Sequence, residues 1–181
     1  MIAALPKCAA ATLAVAASLL GLPGSPVAEG LTPPTFRTKP KRHIGNLPDL
    51  VARKARSSTR NASHECLSRA VYFEARGDQH LEGQLAVAQV VLNRTQSGLF
   101  PDTVCGVIRQ PRQFSFVRGS HIPSVDRSST AWRRSVAIAD IAISKSYKSM
   151  AKAALFFHAL SVAPRWERRK IGRIGAHIFY R

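Results

Sequence analysis

Residues 80–96 constrain the fold of this chain more than any other stretch. Their spacing predicts a helix whose apolar residues cover nearly the whole circumference, and such a helix belongs at the centre of a fold. Gly83, Ala86 and Ala88 are small enough to let a neighbouring backbone approach closely. Asp78 precedes this helix at a suitable distance to serve as its N-cap. The sequence therefore predicts a domain built around one buried helix.

A second helix is predicted over residues 64–76, and it places a glutamate among apolar residues. At helical spacing, Glu74 shares a face with Val71 and other apolar side chains. Burial of a carboxyl group favours its protonated form, which a general acid needs near neutral pH. Taken alone, however, this helix favours a structural glutamate that pairs with Arg69 or Arg76.

The rest of the chain adds further helices and then strands. A short helix is expected after Pro101 and a long helix over residues 130–145. Residues 113–117 alternate polar and apolar side chains as a short strand does, and residues 155–160 and 174–180 are rich in aromatic and branched residues. The sequence predicts a mainly helical α+β domain with a small strand region.

The N-terminal residues differ in composition from this domain. Residues 1–28 contain a lysine, an uncharged apolar run and small residues, which is the layout of a secretory signal peptide. Residues 29–63 contain prolines and basic residues without an apolar period, which predicts a disordered basic linker. The folded domain is expected over residues 64–181, and we expect export to the periplasm or cell envelope.

Export bears on the state of the cysteines. Only Cys66 and Cys105 remain once the signal peptide is removed. In an oxidising compartment they are expected to form a disulfide, which would add about 3–4 kcal/mol by restricting the unfolded chain. Two buried free thiols are the alternative.

The formal net charge of +17 is spread along the chain. Such a charge attracts polyanions, which for an exported protein are anionic envelope polymers or lipid head groups rather than a specific nucleic acid. A solvated basic face is the alternative. We expect a monomer with no transmembrane segment in its mature form, and the sequence predicts neither a cofactor nor a metal ion.

Several motifs follow one another across the expected domain. They are AVYFEARGD at residues 70–78, GQLAVAQVVLNR at 83–94, FPDTVCGVI at 100–108, QFSF at 113–116, FFHA at 156–159 and IGAHIFYR at 174–181. Together they resemble the SleB/CwlJ-type cell wall hydrolase family. The resemblance implies a lysozyme-like domain, related in shape to lytic transglycosylases, that cleaves peptidoglycan with Glu74 as its catalytic residue.

Two positions depart from the pattern of that family. Exported relatives often carry cysteines on both sides of QFSF, whereas Arg112 and Arg118 stand there in this chain, which predicts a looser loop. Asp78 replaces the usual glutamate.

The scarcity of acids bears on the reaction. Glycoside hydrolysis by the usual route needs two carboxylates, about 5–5.5 Å or 6.5–9.5 Å apart. No acid stands out as a partner for Glu74, and a lytic transglycosylase needs only one. The sequence therefore favours a lytic transglycosylase acting on the MurNAc–GlcNAc bond, with a muramidase-type hydrolase as the alternative.

Residues that interrupt apolar runs are candidates for holding the sugar chain. These candidates are Tyr72, Gln84, Asn93, Gln113, Phe114, Ser115, His158 and Trp166. Amides and hydroxyls hydrogen-bond to sugars, and aromatic rings stack on them. An internal structural role fits each candidate equally well.

Other classes of function stay open at this point. A zinc amidase acting on the stem peptide would draw ligands from His121, His158 and His177, but their spacing matches no metal motif. A cysteine peptidase would need a thiol that a disulfide removes. A basic protein that only binds envelope polymers would explain the charge but has no use for Glu74.

Overall fold

The computed structural model describes residues 45–181, apart from Arg76, Gln79 and Ser120. The predicted signal peptide and the first part of the predicted linker lie outside the described residues. Within the described part of the chain, no helix is both long and apolar enough to cross a membrane.

Five helices precede three strands in the described chain. They are α1 (Leu47–Lys54), α2 (Ala62–Ala75), α3 (Leu81–Thr95), α4 (Val104–Arg109), α5 (Thr130–Ile143), β1 (Phe156–Ala159), β2 (Lys170–Ile174) and β3 (His177–Tyr180). The helices predicted over residues 64–76, 80–96 and 130–145 and the short helix after Pro101 are all present.

Helix α3 separates two apolar clusters, which confirms its predicted central place. Leu85, Ala88 and Val91 belong to the larger cluster, to which all the other helices contribute. Val87 and Val90 belong to a smaller cluster that includes residues of the sheet. All five side chains are fully buried. Because the helix is covered on both sides, its apolar residues extend around nearly the whole circumference.

Helix α1 corrects the predicted start of the domain. Leu47 and Val51 lie one turn apart and are buried in the larger cluster. Asn46 caps the helix, since its side chain accepts a hydrogen bond from the Asp49 backbone N–H at 3.0 Å. The predicted boundary at residue 64 is therefore wrong. Two inward-facing residues in a polar segment are too few to show a period, yet they suffice to dock one helix on an existing core.

The predicted disulfide is present and joins α2 to α4. Cys66 and Cys105 are bonded, with their Cα atoms 5.4 Å apart. Helix α4 begins at a Thr103 cap, whose hydroxyl accepts a hydrogen bond from the Gly106 N–H at 3.1 Å. The first turn of α4 is thereby fixed against α2.

The three strands form an antiparallel sheet in the order β1-β3-β2. Residues 174–180, which the sequence predicts as short strands or irregular core segments, contain the last residue of β2, Ile174, and the whole of β3, which begins at His177. Gly175 makes the turn between them with a φ of 58°, a left-handed conformation that glycine adopts easily. Strand β2 is missing from the prediction because an exposed edge strand can carry charged residues.

Residues 113–117 form turns instead of the predicted strand. Backbone bonds run from Gln113 N to Gln110 O at 3.3 Å and from Val117 N to Phe114 O at 3.2 Å. The rings of Phe114 and Phe116 lie 5.7 Å apart and pack on each other. Alternating apolar residues therefore serve one compact turn here, and not the face of a sheet.

Candidate active site

Glu74 lies in the last turn of α2 and lines a cleft of about 690 Å³. The opposite wall is the turn at residues 111–119, which contributes Gln113, Phe114 and Ser115. The hydroxyl of Ser115 donates to Oε1 of Glu74 at 3.5 Å, and its backbone N–H also hydrogen-bonds to the carboxyl group. The structure thus brings three of the predicted substrate-binding residues to the predicted acid.

The surroundings of Glu74 favour a proton on its carboxyl group. Burial raises its pKa above the ordinary value, while the bonds from Ser115 and the positive charge of Arg94 lower it by less. Among the described residues, none forms an ion pair with Glu74. A carboxyl group of this kind is protonated at a higher pH than an exposed one, and is therefore better suited to act as a general acid.

Arg94 lies beside the candidate site, and the sequence analysis did not single it out. Its Nε donates to the Leu155 carbonyl at 2.8 Å, and its guanidinium carbon lies 4.8 Å from the centre of the Phe100 ring and 5.6 Å from that of Phe114. Burial lowers its pKa to about 10, although the charge of Glu74 opposes this shift. Its Nη1 atom is buried without a hydrogen-bond partner. The signal in the sequence is an arginine near the end of an otherwise apolar helix.

His177, the first residue of β3, hydrogen-bonds to the end of α2. Its ring donates a hydrogen bond to the backbone carbonyl of Glu74, and its Nδ1 lies 3.8 Å from a carboxylate oxygen of Asp78. Burial lowers the pKa of this histidine, although the charge of Asp78 opposes the shift. The neutral ring therefore connects the end of α2 to the first residue of β3.

Asp78 does not cap α3, so that prediction is wrong. His80 occupies the N-cap position, and its side chain makes no capping bond. The Asp78 carboxylate instead accepts the backbone N–H of His80 at 2.8 Å and that of Ala176 at 2.9 Å. It fills the space beside Gly83 and Gly175, where a Cβ would overlap its Oδ2 atom. Asp78 therefore ties the loop before α3 to the turn between β2 and β3.

Three other predicted substrate-binding residues are engaged inside the protein. Gln84 is buried and donates to the Asp78 carbonyl at 2.7 Å. The Asn93 amide donates to the carbonyls of Ala151 and Ala154. Tyr72 meets Trp132 edge-on at 6.1 Å, on the side of α2 that faces α5. None of the three lines the cleft beside Glu74.

His158 and Trp166 belong to a separate aromatic cluster on the sheet. The His158 ring stacks on Tyr180 at 5.4 Å and hydrogen-bonds to its hydroxyl at 3.0 Å. Trp166 contacts both of these rings and that of Phe156, and its side chain is 41% exposed. The structure therefore separates these two candidates from the residues that line the cleft of Glu74.

Glu74 is the only acidic residue among those that line this cleft. Glu65 pairs with Arg69 and Arg127, and the buried Asp140 pairs with Lys54 and Arg60. Glu82 accepts the Tyr147 hydroxyl, and Asp126 accepts bonds from Ser128. Among the described residues, no group of three or more histidines, cysteines, aspartates or glutamates could hold a metal ion.

The turn that forms the far wall is closed without flanking cysteines. Arg118 and His121 form an isolated antiparallel bridge, with backbone bonds of 3.1 and 3.0 Å. Arg112 has a φ of 62° and lines the cleft. Backbone pairing of Arg118 and His121 therefore closes this loop.

Comparisons with known proteins identify the class to which this fold and site belong. A model of the cell wall hydrolase family matches residues 78–180, and the chain belongs to that family. Glu74 lies just before the matched residues.

Sequence relatives and solved structures agree with this assignment. The spore cortex-lytic enzyme of Bacillus subtilis is 37% identical over 133 residues, which are 72% of this chain and 41% of that protein. Its counterpart in Oceanobacillus iheyensis is 55% identical over 58 residues, 32% of this chain and 21% of that protein. The chain thus spans less than half the length of these relatives.

The catalytic domain of the germination-specific lytic transglycosylase SleB from Bacillus anthracis superposes with a TM-score of 0.54 at 32% identity. The match covers 69% of this chain and 99% of that domain. The catalytic domain of the Bacillus cereus SleB protein matches at a TM-score of 0.53 and covers the same share of this chain and 94% of that domain. The predicted fold class, a mainly helical α+β domain of lysozyme-like type, is confirmed.

Proposed function

We propose that this chain cleaves the glycan strand of peptidoglycan as a lytic transglycosylase, with Glu74 as its acid and base. The observation that carries the proposal is a partly buried carboxyl group of raised pKa that lines an open cleft without a second acid. Membership of the cell wall hydrolase family supports the substrate class, and the similarity to a SleB lytic transglycosylase domain supports the reaction.

The first step needs a proton on Glu74. The carboxyl group donates that proton to the glycosidic oxygen, the C–O bond breaks, and the leaving sugar departs with a new hydroxyl group. Glu74 becomes a carboxylate, which the two Ser115 donors and the charge of Arg94 stabilise. Burial favours the acid before the step, and these contacts favour the anion after it.

The second step uses the same carboxylate as a base. It removes the proton of the muramic acid 6-hydroxyl, whose oxygen then bonds to the anomeric carbon and closes an anhydro ring. Glu74 regains its proton, and no water is consumed. One carboxyl group suffices for both steps, which is why the absence of another acid among the described cleft residues supports transglycosylation over hydrolysis.

The cleft also offers contacts for the sugar chain. The exposed Gln113 amide and Ser115 hydroxyl can hydrogen-bond to sugar hydroxyls, while Phe114 provides an apolar floor. The net charge of +17 would draw the protein to anionic envelope polymers. We further propose that the chain is exported and acts in the envelope, which agrees with the Cys66–Cys105 disulfide.

Incubation of the protein and its Glu74→Gln variant with purified peptidoglycan tests this function. Mass analysis of the products should show anhydro-muramyl fragments from the parent and none from the variant. Reducing muramyl ends would mean hydrolysis instead. If a folded parent releases no fragments, the proposed activity is wrong.

A further inference from the structure

A second cleft of about 600 Å³ lies between the end of α3, the start of β1 and the segment before β2. We call it the basic cleft, because Lys152, Arg168 and Arg181 line it and no aspartate or glutamate does. The surrounding sequence strengthens this charge, since residues 152–181 contain seven lysines and arginines but only one acid, Glu167. The basic cleft is therefore a concave surface whose charged side chains are all positive.

The three cations have no anionic partner inside the described chain. None of their side chains forms an ion pair or a hydrogen bond with another described residue. The guanidinium carbon of Arg168 lies over the Phe156 ring, 3.5 Å from its centre, which holds this group at the wall of the cleft. Like charges that line one cleft repel one another, and an anionic ligand relieves this repulsion.

The basic cleft adjoins the cleft of Glu74 through Arg94. The Arg94 guanidinium carbon lies 5.6 Å from the centre of the Phe114 ring, which lines the Glu74 cleft, and 5.9 Å from that of Phe156, which lines the basic cleft. An extended peptide advances about 3.5 Å per residue, so three or four residues span this separation. A peptide of this length is therefore long enough to extend from Phe114 to Phe156, whose ring Arg168 contacts.

The lining of the basic cleft favours a short acidic peptide over a long polyanion. Its cations suit carboxylates, and Arg168 can bind one through two parallel bonds. Gln96 is exposed at the edge and can pair with peptide groups, while Leu99 and Phe156 offer contacts to methyl side chains. A polyphosphate backbone would use the cations but not the amide or the apolar wall.

We propose that the basic cleft binds the acidic stem peptide carried by the glycan strand, which makes it a peptide subsite beside the cleavage site. This inference rests on the proposed function, because the peptide is linked to the sugar that Glu74 would attack. Strands that carry peptides would then be held more tightly than bare ones.

The test compares two variants of equal charge. Arg168→Gln/Arg181→Gln removes two cations from the basic cleft, and Arg56→Gln/Lys148→Gln removes two exposed cations that do not line it. Each protein is titrated by calorimetry with three ligands: a sugar-free tetrapeptide, L-Ala-D-Glu-diaminopimelate-D-Ala, the same peptide amidated at its carboxylates, and inorganic polyphosphate. Cleavage of peptide-bearing and peptide-free glycan strands is measured in parallel.

We expect the parent to bind the acidic tetrapeptide and the cleft variant to bind it about tenfold more weakly, while the control variant stays within about twofold. The cleft variant should show a raised KM for peptide-bearing strands and unchanged kinetics on peptide-free strands. Absence of peptide binding by the parent would overturn the inference, as would an equal loss in both variants. Binding of a polyphosphate without binding of the peptide would assign the cleft to an anionic polymer.

The two proposals fail in different ways. If the parent cleaves no glycan, the proposed function fails whatever the calorimetry shows. If the parent cleaves bare and peptide-bearing strands alike and does not bind the tetrapeptide, only the subsite is wrong.

Discussion

Helix α2 carries one glutamate near each end, and the two have opposite surroundings. Glu65 accepts bonds from Arg69 at 2.9 Å and from Arg127 at 2.7 Å, whereas Glu74 accepts only the Ser115 donors and forms no ion pair with a described residue. Each lines a cleft, of about 620 and 690 Å³ respectively. Two glutamates on the same helix therefore have different surroundings, one in ion pairs and one without them.

The pKa shifts of these two groups differ in sign. Burial alone would raise the pKa of Glu65, but the hydrogen bonds from Arg69 and Thr59 and the charge of Arg127 outweigh burial and lower it. At Glu74 burial dominates and the pKa rises. The two pKa shifts therefore differ because Glu65 pairs with two arginines, whereas no described arginine forms an ion pair with Glu74.

The largest expected effect comes from removing each carboxylate in turn. Glu74→Gln should lower the rate of glycan cleavage by about 10²- to 10⁴-fold, because the amide cannot donate the proton. Glu65→Gln should leave the rate within about threefold, since its carboxylate makes ion pairs and a hydrogen bond inside the protein and does not line the cleft of Glu74. Release of soluble fragments from labelled peptidoglycan measures both, and comparable losses would erase the distinction between the two glutamates.

A cation placed beside Glu74 should lower its pKa, as the arginines do for Glu65. In Ser115→Lys, an ammonium group would lower the pKa of Glu74 and leave less of the acid protonated, so that cleavage at neutral pH should fall roughly tenfold. Ser115→Met matches the bulk without the charge and serves as the control. Equal losses in both variants would point to bulk rather than charge.

Loss of Arg94 should act in the opposite direction. Its charge lowers the pKa of Glu74, so Arg94→Met should raise that pKa and move the high-pH limb of the activity profile upward. The variant should also lose about 1–3 kcal/mol of stability with the bond to Leu155 and the contacts to the aromatic rings. Arg94→Lys keeps the charge and should keep the limb in place. An unchanged limb in Arg94→Met would remove Arg94 from the electrostatics of the site.

The smallest expected effect is on stability. At pH 7 the two glutamine variants should change the free energy of unfolding in opposite directions. The pKa of Glu65 is lowered in the folded protein, so this residue stabilises the fold at pH values above its pKa in the unfolded chain. That stabilisation is lost as the pH falls through the pKa that Glu65 has in the folded protein. Glu65→Gln should therefore cost about 0.5–1 kcal/mol at pH 7 and nothing in strong acid.

The raised pKa of Glu74 penalises the folded state once pH rises above the unfolded value. Glu74→Gln should therefore be more stable than the parent at pH 7, and this gain should disappear in acid. Urea unfolding of both glutamine variants at pH 7 and pH 3 measures the two differences. The same sign for both would contradict the assigned surroundings.

The sequence predicts well what depends on neighbouring residues. The helices follow from apolar spacing, and α3 was placed at the centre because its apolar residues leave no polar face. Glu74, Ser115 and Phe114 lie together as expected, although the segment that carries the last two is a turn. The motifs therefore predict which residues share the cleft better than they predict the backbone conformation.

Contacts between distant residues account for the failures. Helix α1 needs a core supplied by residues far along the chain, and Arg94 gains its surroundings from Phe114, Phe156 and the Leu155 carbonyl. Asp78 looks like a helix cap locally, but its partner Ala176 lies in the turn before β3. The spacing of neighbouring residues cannot predict contacts between residues that are this far apart in the sequence.

The contacts of Asp78 and His177 also determine when the site is complete during biogenesis. The end of α2 is held by a ring from β3, and the loop that follows it is held by the backbone of Ala176. A chain that emerges with its N-terminus first presents Glu74 long before these supports exist, because contacts distant in sequence form late. Glu74 therefore acquires the surroundings described above only after β3 has been synthesised and has joined the sheet.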